Sequence, residues 1–170
     1  MPNHVHLLAL GMRRDSLSAA VGNAQRVYSR RRHMDAEVTG HLWGTRYFAS
    51  PLDEAHTWAA VRYIERNPVK AGLATRAVDY PWSSARAHAG MGEDELLDPD
   101  RPFPGLIGDW QAWLAIAVEE PVAQALRRNT ASGRPTGSEE FVRSLEEEAG
   151  RGLRRLPPGP HRDSPHPHPR

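Results

Sequence analysis

Residues 3–10, Asn-His-Val-His-Leu-Leu-Ala-Leu, alternate in a way that predicts a β-strand, with His4, His6 and Leu8 on one face and Val5 and Leu7 on the other. The spacing then changes from two to three or four. Leu17, Ala20, Val21, Ala24, Val27 and Tyr28 recur at helical intervals, and Ser16 is placed to cap a helix running to about Arg32. Residues 41–50, His-Leu-Trp-Gly-Thr-Arg-Tyr-Phe-Ala-Ser, have the aromatic-rich pattern of a strand or hairpin arm. Asp53 is predicted to cap a second helix over 54–66, with Trp58, Val61 and Ile64 as its inward stripe and Pro68 as its stop. Gly72 marks a turn, and Tyr80-Pro81-Trp82-Ser83-Ser84 leads into a short helix. Pro and Asp dominate between Gly90 and Gly105, which predicts a boundary. Helices are expected beyond it near 108–119, 121–129 and 138–150, the last capped by Ser138. The Pro- and His-rich tail from Pro157 cannot build a core and is expected to be disordered. No internal repeat is present.

Composition narrows the chemistry. The 170 residues contain no cysteine, which excludes disulfides, thiolate metal sites and cysteine nucleophiles. Any metal must therefore rest on His, Asp, Glu, Asn or Gln. No apolar run reaches the length of a membrane span, and the first residues lack the pattern of a secretory signal, so a reducing, cytoplasmic setting is expected. The net charge of +1 conceals an asymmetry. Residues 1–90 hold 12 Lys and Arg against 7 Asp and Glu, whereas residues 91–170 hold 10 against 14. The basic half suits a polyanionic partner.

That half also holds the candidate chemistry. Two histidines two apart on a strand share a face and can reach one divalent ion. On spacing alone, a pair of structural or surface histidines is the better account of His4 and His6. On the helix over 54–66, Tyr63 and Asn67 are four apart, hence stacked on one face, away from the apolar stripe. A phenol and a carboxamide one turn apart could place a nucleophile beside a metal ligand. On spacing alone, an exposed tyrosine and a helix-ending asparagine before proline is the better reading of this pattern too.

Four segments occur together and in order: Met1-Pro2-Asn3-His4-Val5-His6-Leu7-Leu8, Gly40-His41-Leu42-Trp43-Gly44-Thr45-Arg46-Tyr47, Tyr63-Ile64-Glu65-Arg66-Asn67-Pro68-Val69-Lys70-Ala71-Gly72-Leu73 and Tyr80-Pro81-Trp82-Ser83-Ser84. Their wording resembles the REP-associated tyrosine transposases, single-tyrosine HUH nucleases related to insertion-sequence transposases. The stretch Gly133-Arg134-Pro135-Thr136-Gly137-Ser138-Glu139-Glu140-Phe141 is similar to that group as well. The resemblance covers residues 1–156, and the block from Tyr63 to Leu73 is its most specific part.

The resemblance implies an α+β fold: a ferredoxin-like antiparallel sheet with packed helices and a helical C-terminal extension. Residues 1–90 would be the catalytic domain, 91–156 the extension and 157–170 the tail. Relatives carry a further strand and helix before the histidine segment, so the resemblance implies a core truncated at its N-terminus, with activity in question on that account. It makes His4, His6 and Asn67 ligands of Mg²⁺ or Mn²⁺ and Tyr63 the nucleophile. The implied activity is nicking and strand transfer on single-stranded or hairpin repeat DNA through a 5′-phosphotyrosine link, in a nucleoid-associated setting and with no membrane partner. The oligomeric state, monomer or homodimer, is left open. Arg26, Arg30, Arg31, Arg32, Arg46 and Lys70 are candidates for contacts to the DNA backbone, and Trp43, Tyr47 and Trp82 for base stacking. The net acidity of the C-terminal helices argues against a strong phosphate-binding role for them. Two other readings remain: a truncated relative that only binds repeat hairpins, and an unrelated metal-binding protein using His161, His166 and His168.

Overall fold

The computed structural model describes residues 1, 3–37, 39–44, 46–98 and 106–154. The expected tail and part of the expected 90–105 boundary lie outside them. Within the described residues the chain is helical. Helix α1 spans Ser16–Ala36, α2 Glu54–Lys70, α3 Ala85–His88, α4 Trp110–Ala115, α5 Glu120–Ser132 and α6 Glu139–Ala149, with a single 3-10 turn at Ala77–Asp79.

The expected ferredoxin-like antiparallel sheet is not there. Among the described residues no strand forms, and the one β-type pairing is an isolated parallel bridge between Leu52 and Thr136. The physical reason is that alternation marks a segment as able to pair but does not supply the partner. The described residues of 3–10 and 41–50 run without regular structure, with no ladder between them or to any other described segment. Val5, Leu7 and Leu10 consequently stay exposed, each with roughly two thirds of its surface open to solvent. Helix α1 buries no residue of its own. Trp43 folds back onto it, its ring 5.7 Å from that of Tyr28 and its indole N–H donating to the Gln25 carbonyl at 3.2 Å.

The core forms instead around α2. Val61, Ala77, Val78, Ala85, Trp110 and Leu114 make one buried cluster, flanked by Trp58 and Trp113. Trp58 lies edge-on to both Trp110 and Trp113, at ring distances of 5.9 and 5.7 Å. Helix α4 therefore shares a core with α2.

Asp53 caps α2 as expected, accepting from the His56 N–H at 2.9 Å. Pro68 does not stop the helix, which continues to Lys70. Proline fixes φ near its helical value, and its missing N–H costs one ladder bond close to an end where the ladder is finishing anyway. Gly72, at φ +69°, then turns the chain away.

The entry to α2 is clasped to the α5–α6 connection. Thr136 donates its N–H to the Pro51 carbonyl at 2.8 Å, and Ser50 Oγ donates to the Arg134 carbonyl at 2.6 Å. The second carboxylate oxygen of Asp53 accepts from the Ser138 N–H at 2.7 Å, so one side chain serves the starts of both α2 and α6. Ser138 in turn caps α6 through the Phe141 N–H at 3.1 Å.

Candidate functional site

Tyr63 and Asn67 lie on one face of α2 because they are four residues apart on an unbroken helix. That face meets the extended N-terminal segment. Asn67 Nδ2 is 2.8 Å from His6 Nε2, and the His6 ring lies edge-on to Tyr63 with centroids 5.8 Å apart. His4 stands next to His6 at a ring distance of 4.9 Å. The expected strand face is thus replaced by an irregular segment that brings His6 to α2, with His4 beside it.

The donor atoms bear on whether a divalent ion fits. Asn3 Oδ1 is 2.7 Å from His4 Nδ1 and can only accept, a contact that favours the tautomer with Nε2 as the free donor atom of a neutral ring. His6 accepts from the Asn67 amide through Nε2, which leaves that atom likewise unprotonated. Burial first, then the neighbouring His4 and the N-terminal ammonium, hold His6 below the ordinary imidazole range. A neutral imidazole is the form that ligates a metal. A half-turn of the Asn67 carboxamide would face its oxygen toward the same point. Among the described residues no three His, Cys, Asp or Glu converge into a metal cage. The donors gathered near Tyr63 are the His6 imidazole and the Asn67 amide, with the His4 imidazole alongside, a set that would leave several positions of a bound ion open.

The other side of Tyr63 and Asn67 borders a cleft of about 240 Å³, lined also by Arg66, Val69, Lys70, Ala117, Val118, Glu120 and Ala123. Glu120, at the start of α5, receives Lys70 Nζ at 3.3 Å and Arg127 Nη2 at 2.5 Å. Its carboxyl is held below the usual range by the bonds from Arg127, Gln124 and Lys70, in that order. Arg127 is held above the usual guanidinium range, chiefly by Glu120; desolvation opposes this and the Tyr63 hydroxyl adds to it.

Behind this face, Glu65 anchors the helix. It is the largest side chain wholly enclosed among the described residues, only 1% exposed. One oxygen accepts from Ser84 Oγ at 2.6 Å and meets His88 Nδ1 at 2.6 Å, and the other accepts from the Trp110 indole N–H at 2.7 Å. Arg66 donates to the Leu114 carbonyl at the end of α4. Arg62 stacks over Trp113, its guanidinium carbon 4.3 Å from the ring centroid.

The remaining predicted contact residues fall elsewhere. Arg26, Arg30 and Arg31 line a shallow groove on α1, where Arg26 bonds Asn23 and Arg31 pairs loosely with Asp35. Arg32 is exposed on the same helix, and Arg46 lies over the ring of its neighbour Tyr47. Of the six basic candidates, Lys70 is the one that lines the Tyr63 cleft. Trp82 is 83% exposed, whereas Trp43 packs on α1. Sequence reasoning missed Glu65, Glu120 and Arg127. The first had a signal: the three-and-four spacing of Trp58 and Val61 continues through positions 65 and 68, so a glutamate stood on the inward stripe. No pattern links Arg127 to Tyr63, because their proximity depends on how α5 packs.

Residues 1–67 match the family model described as "Transposase IS200 like", a span that includes His4, His6 and Tyr63 and ends at Asn67. Over that span the chain is similar to the IS200-like transposases. No curated protein and no solved structure matches the chain. Among the described residues no helix is long and apolar enough to cross a membrane.

Proposed function

We propose that the chain is a transposase-type DNA-processing enzyme that nicks and rejoins single-stranded or hairpin DNA, with Tyr63 as nucleophile and His4, His6 and Asn67 holding Mg²⁺ or Mn²⁺. The observation that carries this reading is the convergence on Tyr63 of His6 and Asn67, from segments 61 residues apart in the chain. Similarity to the IS200-like transposases over residues 1–67 supports it independently.

In the proposed reaction, the Tyr63 oxygen attacks a backbone phosphorus and forms a Tyr63 Oη–P bond. The P–O3′ bond breaks, the phenol proton passes to solvent, and the departing 3′ oxygen takes up a proton. The products are a 5′-phosphotyrosine link and a free 3′-OH. Because the link conserves the phosphodiester bond energy, the 3′-OH of a second strand can attack the phosphorus and release Tyr63, which joins DNA. A bound divalent ion would supply charge neutralisation at the phosphate oxygens. The chain itself orients the phenol against His6, and the Glu65 anchor fixes the helix that carries Tyr63 and Asn67.

Incubating the protein with end-labelled single-stranded and hairpin DNA and Mn²⁺ tests the reading. A covalent adduct stable to denaturation, absent from Tyr63→Phe, is expected. An adduct of equal yield in Tyr63→Phe would remove the nucleophile assignment. A binding-only protein is the second reading, favoured by the lack of a strand behind His4 and His6 among the described residues. It predicts retained DNA binding and no adduct in the parent protein.

A further inference from the structure

The Tyr63 cleft contains an ion-pair arrangement that the proposed chemistry does not use. Glu120 bridges two cations from different helices, Lys70 of α2 at 3.3 Å and Arg127 of α5 at 2.5 Å, and also accepts from Gln124 at 3.3 Å. All three charged side chains are partly open to solvent, at 39 to 58% exposure. Glu120 and Lys70 share the cleft with Tyr63 and Asn67. A single carboxylate thus holds two cations beside the tyrosine.

We propose that Lys70 and Arg127 form a phosphate subsite beside Tyr63, which Glu120 fills in the free protein and which a DNA phosphate occupies by displacing the Glu120 carboxylate. The exchange is matched in charge, since a phosphodiester and a carboxylate each carry one negative charge. It is matched in geometry, since both offer two oxygens to a guanidinium fork and an ammonium. It meets little resistance, because solvent-exposed ion pairs are weakly held. The arrangement also gives the acidic C-terminal half a phosphate contact that its net charge conceals. A carboxylate guarding the subsite would favour strands able to place a phosphate between the two cations over loosely bound polyanions.

This inference rests on the reading that DNA enters the Tyr63 cleft, and its test is kept apart from cleavage. The full chain carrying Tyr63→Phe is titrated with fluorescein-labelled oligothymidylate in EDTA over a series of salt concentrations. Glu120→Gln is expected to tighten binding about threefold or more. Arg127→Gln and Lys70→Gln are each expected to weaken it and to flatten the salt dependence by about 0.7 in logarithmic slope, the value for one phosphate contact on a single strand. Arg127→Lys should restore the slope, and Glu120→Gln should give no gain once Arg127 is Gln. Unchanged or weaker binding by Glu120→Gln, or a parental salt slope in Arg127→Gln, overturns the subsite. If the subsite behaves as expected while the parent protein forms no adduct with DNA, the strand-transfer reading fails alone. An adduct with no effect of Arg127 or Glu120 sinks the subsite alone.

Discussion

The Asn67 carboxamide reaches the His6 imidazole at 2.8 Å, although 61 residues separate the two in the chain. The contact ties an otherwise irregular N-terminal segment to α2 at the one helix face that also presents Tyr63. Residues 3–10 have no ladder to hold them, so the placement of His6, and of His4 against it, depends on what His6 meets on α2.

That dependence gives a first expectation. His6→Ala should weaken Mn²⁺ binding at least tenfold, as loss of a ligand does, and Asn67→Ala should also weaken it, by removing both a donor and the contact that positions His6. Isothermal titration of the purified protein with Mn²⁺ measures both. Unchanged affinity in His6→Ala would mean that the ion sits elsewhere.

Glu65 gives a second. One of its oxygens accepts from Ser84 and meets His88, and the other accepts from the Trp110 indole N–H, which can only donate. Glu65→Ala leaves that N–H without its partner inside a packed core. A loss of about 2 kcal/mol is expected, the range for a buried polar group left unsatisfied, read from urea unfolding. A change within experimental error would show that the anchor does not hold α2.

The shared cap at Asp53 predicts a pH dependence. Burial opposes ionisation of this carboxyl, but the bonds from the His56 ring, the Ser138 N–H and the His56 N–H outweigh it and hold the group below its ordinary value of 3.8. A depressed carboxyl contributes stability that is complete above the unfolded-state value and is lost as pH falls through the folded-state value. The parent protein should therefore lose stability below about pH 4 more steeply than Asp53→Asn, with a constant gap between them above about pH 6. Urea midpoints across this range check it, and parallel curves would contradict it.

Gly137 makes the same clasp sensitive to volume. A Cβ there would collide with the Phe141 ring and approach an Asp53 carboxylate oxygen at 2.9 Å. Gly137→Ala should cost about 1–3 kcal/mol, as overpacking does, and should lower the thermal midpoint. An unchanged midpoint would mean that the α5–α6 connection yields freely.

The parts legible in the sequence are those set by local rules. Asp53 and Ser138 cap α2 and α6 because a short acceptor side chain precedes a helical run, and Tyr63 and Asn67 share a face because helices repeat every 3.6 residues. The sheet was not legible: alternation in residues 3–10 states a capacity to pair, and pairing depends on backbone that must come from elsewhere. Pro68 misled for a related reason, since its cost depends on how near the helix end it falls. Glu65 could have been read from the stripe it interrupts. Arg127 could not, because only the packing of α5 against α2 brings it to Tyr63.

In the proposed reaction Tyr63 is the residue that becomes joined to DNA. The chain holds four tyrosines, Tyr28, Tyr47, Tyr63 and Tyr80, which makes the claim open to direct mapping. Protein incubated with a single-stranded substrate and Mn²⁺ is digested with nuclease and trypsin, and the peptide that retains a nucleotide is located by mass spectrometry. A nucleotide is expected on the tryptic peptide containing Tyr63 and on no other. A nucleotide found on Tyr28, Tyr47 or Tyr80, or on no peptide from protein that binds the substrate, would contradict it.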